Sequence, residues 1–222
     1  MGSVTFLNMS ARLAAVAAAV VSTATIVGAP PASADGPCPN VEVVFARGTS
    51  EPEGIGRVGQ ALVDALTPLI GGQTIGAYGV IYPATYDFLT AADGAADATN
   101  HISAMASQCP GTRIVLGGYS QGAAVVDMLA GIPPLGNKIG EVGSGPPLPS
   151  DLDANIAAVA VFGNPSTKFS IPITNSIFGG RAIDLCADGD PICSRGRNPF
   201  AHTHYESSDF IPQAANFVAG RV

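Results

Sequence analysis

Residues 113–130 read RIVLGGYSQGAAVVDMLA, and this stretch decides the fold. Arg113 to Gly118 begins with an apolar, β-branched run, which predicts a buried strand. Gln121 to Ala130 is rich in Ala, Val, Met and Leu, which predicts a helix. Between them stands Gly118-Tyr119-Ser120-Gln121-Gly122. A strand that becomes a helix within so few residues lifts the central serine clear of the sheet, and glycines are needed on either side where a side chain would strike neighbouring backbone. The serine then stands at a helix N-terminus, where free N–H groups and the dipole favour developing negative charge. With 27 glycines in the chain, G-x-S-x-G by itself says little. Its place between strand and helix is what reads Ser120 as a nucleophile rather than as a plain N-cap.

Working outward, strands and helices alternate. Val41 to Ala46 (VEVVFA) predicts a buried strand, followed by a loop from Arg47 to Gly56. Val58, Ala61, Leu62, Ala65 and Leu66 recur at helical spacing until Pro68 and Gly71-Gly72. Gly76 to Tyr82 predicts a second strand, closed by Pro83, and Thr90 to Ser107 an alanine-rich helix stopped by Cys109-Pro110-Gly111. Ile156 to Phe162 and Arg181 to Leu185 predict two more strands. A last helix carries Ile211, Ala214, Ala215, Val218 and Ala219 on one stripe. The expected class is α/β, with a mainly parallel central sheet and helices on both faces. Gly131 to Ser150 and Ser166 to Gly180, rich in Pro, Gly and Ser, are expected to be ordered surface excursions bordering a cleft.

The N-terminus has the form of an export signal. Arg12 is followed by an apolar run from Leu13 to Val27, then Gly28, Pro30, Pro31 and Ala32-Ser33-Ala34. The run is shorter than the roughly 20 apolar residues a spanning helix needs. Residues 1–34 are therefore expected to be a secretory signal cleaved before Asp35, and 35–222 a single domain. The closeness of Arg12 to Met9 suggests Met9 as the true start. The exported part carries nine basic and seventeen acidic side chains, a poor footprint for nucleic acid. Cys38, Cys109, Cys186 and Cys193 all lie in it. An even count in an oxidising compartment argues for two bridges, and spacing leaves three pairings open. A local Cys186–Cys193 closure would leave Cys38 for Cys109. With no C-x-x-C and no nearby histidine pair, no metal is expected.

A serine nucleophile needs a base, and the histidines are His101, His202 and His204. His101 lies inside a predicted helix, whereas the other two follow the last strand, which suits the order Ser, acid, His. The acid candidates are Asp184, Asp188 and Asp190. Asp190 is favoured because the turn from Cys186 to Cys193, stiffened by Pro191, would hold a carboxylate rigidly. Its task is to orient the imidazole and stabilise the imidazolium.

These residues carry a resemblance. Phe45-Ala-Arg-Gly-Thr49 after the first strand, GYSQG around Ser120, Cys-x3-Asp-x2-Cys around Asp190 and His-x-x-Tyr from His202 to Tyr205, in this order, resemble the cutinases, in particular the secreted cutinase-like esterases of actinobacteria. The resemblance implies an α/β-hydrolase fold without a lid domain. It implies a triad of Ser120, His202 and Asp190, with His202 preferred over His204 because Tyr205 completes the motif only from position 202. It implies an oxyanion hole from Thr49 and the backbone N–H of Gln121, and disulfides Cys38–Cys109 and Cys186–Cys193. The expected reaction is hydrolysis of short to medium acyl esters, lipids among them, through an acyl-enzyme, with no cofactor. A monomer making transient contact with lipid surfaces, outside the cell or at its wall, is the expected form. Tyr86, Phe88 and Phe200 are the expected substrate contacts. Arg195 and Arg197 stand where fungal cutinases are apolar, which speaks against cutin as substrate. The rivals are an acetylxylan-type carbohydrate esterase and a non-catalytic surface protein on the same fold; the latter would lack a triad member, and none is missing.

Overall fold

The chain was described from a computed structural model, which places residues 1–2, 37–136 and 143–222. Among the described residues the strands are β1 (Val41–Ala46), β2 (Ile75–Gly79), β3 (Arg113–Tyr119), β4 (Ile156–Phe162) and β5 (Ala182–Leu185). All neighbours run parallel in the order β2-β1-β3-β4-β5. The winding direction therefore reverses between β1 and β3, and the crevice beyond their carboxyl ends is the place where such sheets bind ligands. Ser120 follows β3 and the Thr49 loop follows β1, so both open onto that crevice.

The helices are α1 (Gly56–Leu66), α2 (Ala91–Gln108), α3 (Gln121–Leu129), α4 (Pro199–His202) and α5 (Phe210–Ala219). Alternation along the strands divides the core. Val44, Ile114, Leu116, Val159 and Val161 pack with Ile102 of α2 and with Val125 and Leu129 of α3. Val43, Phe45, Val115, Ala160 and Phe162 pack with Val58 and Leu62 of α1 and with Ala214 and Val218 of α5. Strands buried on both faces read as continuous apolar runs, as VEVVFA and IAAVAVF do.

Two elements differ from the sequence reading. β2 ends at Gly79 rather than Tyr82, because Val80 and Tyr82 offer their carbonyls to the Arg47 guanidinium (Nη1 at 3.3 Å, Nη2 at 2.8 Å) instead of to a strand. His202 closes the short helix α4, capped by the Asn198 side chain, rather than sitting in a loop. The Ser166–Gly180 excursion is ordered through short 3₁₀ turns. The proposed export signal lies outside the described residues save for Met1 and Gly2, as do residues 137–142 of the other excursion. Among the described residues no helix is long and apolar enough to cross a membrane.

Both expected disulfides form, Cys38–Cys109 across 71 residues and Cys186–Cys193 across 7. By loop closure the first constrains the unfolded chain by about 4 kcal/mol. Replacing Cys38 and Cys109 by serine should lower the unfolding free energy by about that amount in urea titrations. Ester hydrolysis at low temperature should survive, since this bridge lies at the end of the sheet away from Ser120.

Candidate active site

The turn from β3 into α3 is as tight as the sequence implied. A Cβ on Gly122 would lie 1.8 Å from the Ala46 carbonyl oxygen, and one on Gly118 2.3 Å from that of Gly122. Ser120 itself has φ 56° and ψ −116°, a region that costs a non-glycine residue about 1–3 kcal/mol. It is held there by its N–H donating to Phe162 O at 2.9 Å.

Ser120 Oγ lies 2.7 Å from His202 Nε2, and His202 Nδ1 lies 2.7 Å from Asp190 Oδ2. Asp190 is fully buried. Burial alone would push its carboxyl up, but hydrogen bonds from His202, Ile192 N–H and Tyr205 Oη, with the His202 charge, outweigh it and hold the group below its ordinary value. Tyr205 Oη donates to Asp190 Oδ2 at 2.7 Å and accepts from Ala187 N–H at 2.8 Å. Burial first, then the Asp190 charge, keeps this phenol protonated as a donor. The Tyr119 hydroxyl donates to the His202 carbonyl, and its ring packs 5.2 Å from the imidazole.

Thr49 reaches the same place from the other side. Arg47, buried, donates Nε to Glu51 O at 2.9 Å and binds Val80 and Tyr82, while the Tyr82 hydroxyl donates to Arg47 O. Glu51 accepts from Gly48 N–H at 2.7 Å and from Arg57 Nε at 3.2 Å, and Arg57 Nη1 continues to Glu206 at 2.7 Å. In the loop so fixed, Thr49 Oγ1 donates to Gln121 Oε1 at 3.0 Å.

Ser120, His202, Thr49 and Gln121 line one cleft of about 490 Å³. Its walls differ. Tyr86, Phe88, Leu135, Pro165 and Ile192 make an apolar side, while Glu51, Arg57 and Thr203 bring polar groups. Phe200 is 72% exposed and does not line the cleft. His204 is exposed, with Nδ1 at 2.8 Å from Phe200 O rather than near Ser120. Asp184 is bound to Asn164 and Ile173 N–H, away from His202. His101 contacts Glu42 at 3.0 Å under the stacked Tyr78 ring. Among the described residues no group of three acidic, histidine or cysteine side chains is placed to hold a metal.

Gly163 escaped the sequence reading. It has φ +58°, and a Cβ there would lie 2.8 Å from His202 Cε1 and 3.2 Å from Asp190 Oδ2. Its signal is a glycine directly after the buried strand Ile156–Phe162, the position relative to β4 that Ser120 holds relative to β3.

The sheet and this crevice define an α/β hydrolase. The chain belongs to the cutinase family, whose profile matches residues 37–222. It is 50% identical over 217 residues to Phospholipase Culp4 of Mycobacterium tuberculosis, covering 95% of this chain and 92% of that one. Carboxylesterase Culp1 of the same organism is 43% identical over 216 residues, with 91% and 92% covered. Among solved structures, Trichoderma reesei cutinase in complex with a phosphonate inhibitor superposes with a TM-score of 0.66 at 34% identity, over 83% of this chain and 77% of the other. The chain is accordingly a carboxylic ester hydrolase.

Gly163→Ala should keep the fold by circular dichroism and lower kcat about ten- to a hundredfold, since the methyl displaces His202. Tyr205→Phe should cost about 1–2 kcal/mol of stability at neutral pH. Because the Asp190 carboxyl is depressed, the stability it contributes is present above its ordinary value of 3.8 and is lost as pH falls through the lowered one. The difference between wild type and Tyr205→Phe should therefore shrink in acid urea titrations.

Proposed function

We propose that the protein is a secreted serine esterase in which Ser120 attacks the ester carbonyl, His202 takes its proton, and Asp190 orients His202. The observation that carries this reading is the 2.7 Å and 2.7 Å succession from Ser120 Oγ through His202 to the buried Asp190. His202 then returns the proton to the leaving alcohol, and water cleaves the acyl-enzyme by the reverse exchange. Thr49 and the Gln121 backbone N–H bind the oxyanion. Each such donor typically contributes about 10²–10³ in rate.

The cleft suggests the substrate. An apolar wall of Tyr86, Phe88, Leu135 and Ile192 suits an acyl chain of short to medium length, and the Glu51–Arg57 side suits a polar alcohol. Esters with an apolar acid and a polar alcohol, lipids among them, fit better than a polyester. The relative named a phospholipase points the same way. A carbohydrate acetyl esterase would leave the apolar wall without a task.

Purified protein should hydrolyse chromogenic butyrate and hexanoate esters faster than acetate. Ser120→Ala and His202→Ala should each remove about 10³-fold or more of kcat, and His204→Ala should change it little. Full activity in Ser120→Ala, or a strict preference for acetate, would contradict the reading.

A further inference from the structure

Behind the cleft lies a second cluster of polar side chains that ester hydrolysis does not use. Asp127, on α3, is fully buried, and so is Asn164, just beyond β4. Asn164 Nδ2 donates to Asp127 Oδ1 and to Asp184 Oδ2, at 3.1 Å each, so one amide serves two carboxyl groups. Asn164 Oδ1 accepts from Ser166 N–H at 3.2 Å, and Asp184 Oδ2 also accepts from Ile173 N–H at 2.9 Å. Asp127 Oδ2, Asp184 Oδ1, Ser166 Oγ and Thr167 Oγ1 are buried with them, the Ser166 hydroxyl facing Asp127 and the Thr167 hydroxyl facing Asp184.

Among the described residues no cation forms an ion pair with either acid. The ion pairs among the described residues join Arg57 to Glu51 and Glu206, His101 to Glu42, and His202 to Asp190. Lys168, the base on the adjoining turn Pro165–Phe169, donates to Pro191 O at 2.6 Å. The titratable group facing Asp127 is Asp184, and the remaining neighbours are Asn164 and the Ser166 and Thr167 hydroxyls. Two carboxylates on one amide, with no counter-charge, are stable in a low-dielectric interior only if one is neutral.

The cluster has a mechanical connection to the site. Asn164 lies between Gly163, on which the His202 ring and Asp190 rest, and Pro165, which lines the cleft. We propose that Asp127, Asn164 and Asp184 form a proton-holding brace that fixes the corner after β4, and through Gly163 the position of His202. Asp127 holds the proton, being the more deeply buried of the two acids. All three are positioning residues, since none touches the reacting atoms.

Burial first, with the Asp184 charge adding to it, raises the Asp127 carboxyl well above 3.8, against softening by Asn164 and Ser166. A group raised on folding contributes stability that is full below its unfolded value and is lost as pH rises through the folded one. The test is Asp127→Asn, an uncharged copy of the protonated acid, compared with wild type from about pH 5 to 10. Wild type should lose thermal stability and kcat, with KM little changed, as pH rises. In Asp127→Asn the midpoint of that loss should move up by about one pH unit or more. Asn164→Ala, without the brace, should lower kcat about tenfold at every pH. The infrared carbonyl band of a buried protonated carboxylic acid should be present in wild type at neutral pH and absent from Asp127→Asn; this holds even if kcat data are inconclusive.

Identical alkaline midpoints in wild type and Asp127→Asn, or absence of the infrared band, would overturn the proposal. Stabilisation by added calcium that Asp127→Asn abolishes would overturn it too, in favour of a cation. The kcat measurements rest on His202 being the base. Thermal stability and the infrared band do not, so failure of one reading is distinguishable from failure of the other.

Discussion

The reversal of the chain at Ser120 is the constraint on which the rest of the structure depends. A single non-glycine residue at φ 56° turns a central strand into a helix, and it does so against a steric limit of 1.8 Å between a hypothetical Gly122 methyl and the Ala46 carbonyl. Such a conformation persists only where the surroundings over-determine it. Here they do: Phe162 receives the Ser120 N–H, α3 is buried along its whole length, and β1 closes over Gly122. The local strain of about 1–3 kcal/mol is small against the core that imposes it.

From this point the site is assembled by rigid pieces that approach from different strand ends. Thr49 arrives on a loop laced by Arg47 and Glu51, Asp190 on a disulfide-closed turn, and His202 at the end of a short capped helix. Tyr205 and Tyr119 then tie these pieces to one another, the first through Asp190 and Ala187, the second through the His202 carbonyl. Most of these groups are buried, so their hydrogen bonds are made in a medium where an unmade one is costly. The geometry is thus set before any substrate enters.

How much of this was legible in the sequence varied with range. RIVLGGYSQG announced its strand, turn and helix because local preferences and the buried environment agree there. The continuous apolar runs of β1 and β4 were readable for the same reason. Gly76 to Tyr82 misled by three residues, since the event that ends β2 is a guanidinium arriving from position 47. Spacing left three aspartates and two histidines open as partners of Ser120; the stiff turn from Cys186 to Cys193 favoured Asp190, while His202 was preferred over His204 only by motif resemblance. Gly163 and the Asn164 amide were invisible because their importance lies in what packs against them from positions 127, 184, 190 and 202. Phe200, an aromatic near the histidine in sequence, faces solvent because α4 is only one turn long.

Parallel strands also give the domain a front and a back. β1 is entered at Val41, beside Arg113 and Ile75, while Ser120 follows the opposite end of β3. The C-terminal segment returns to the same rear side, where Arg221 Nη2 binds Gly180 O just ahead of β5. Both ends of the domain therefore leave from the side remote from the cleft. A resin, an affinity handle or a display scaffold joined at either end would hold the protein by its back and leave the mouth of the cleft turned outward.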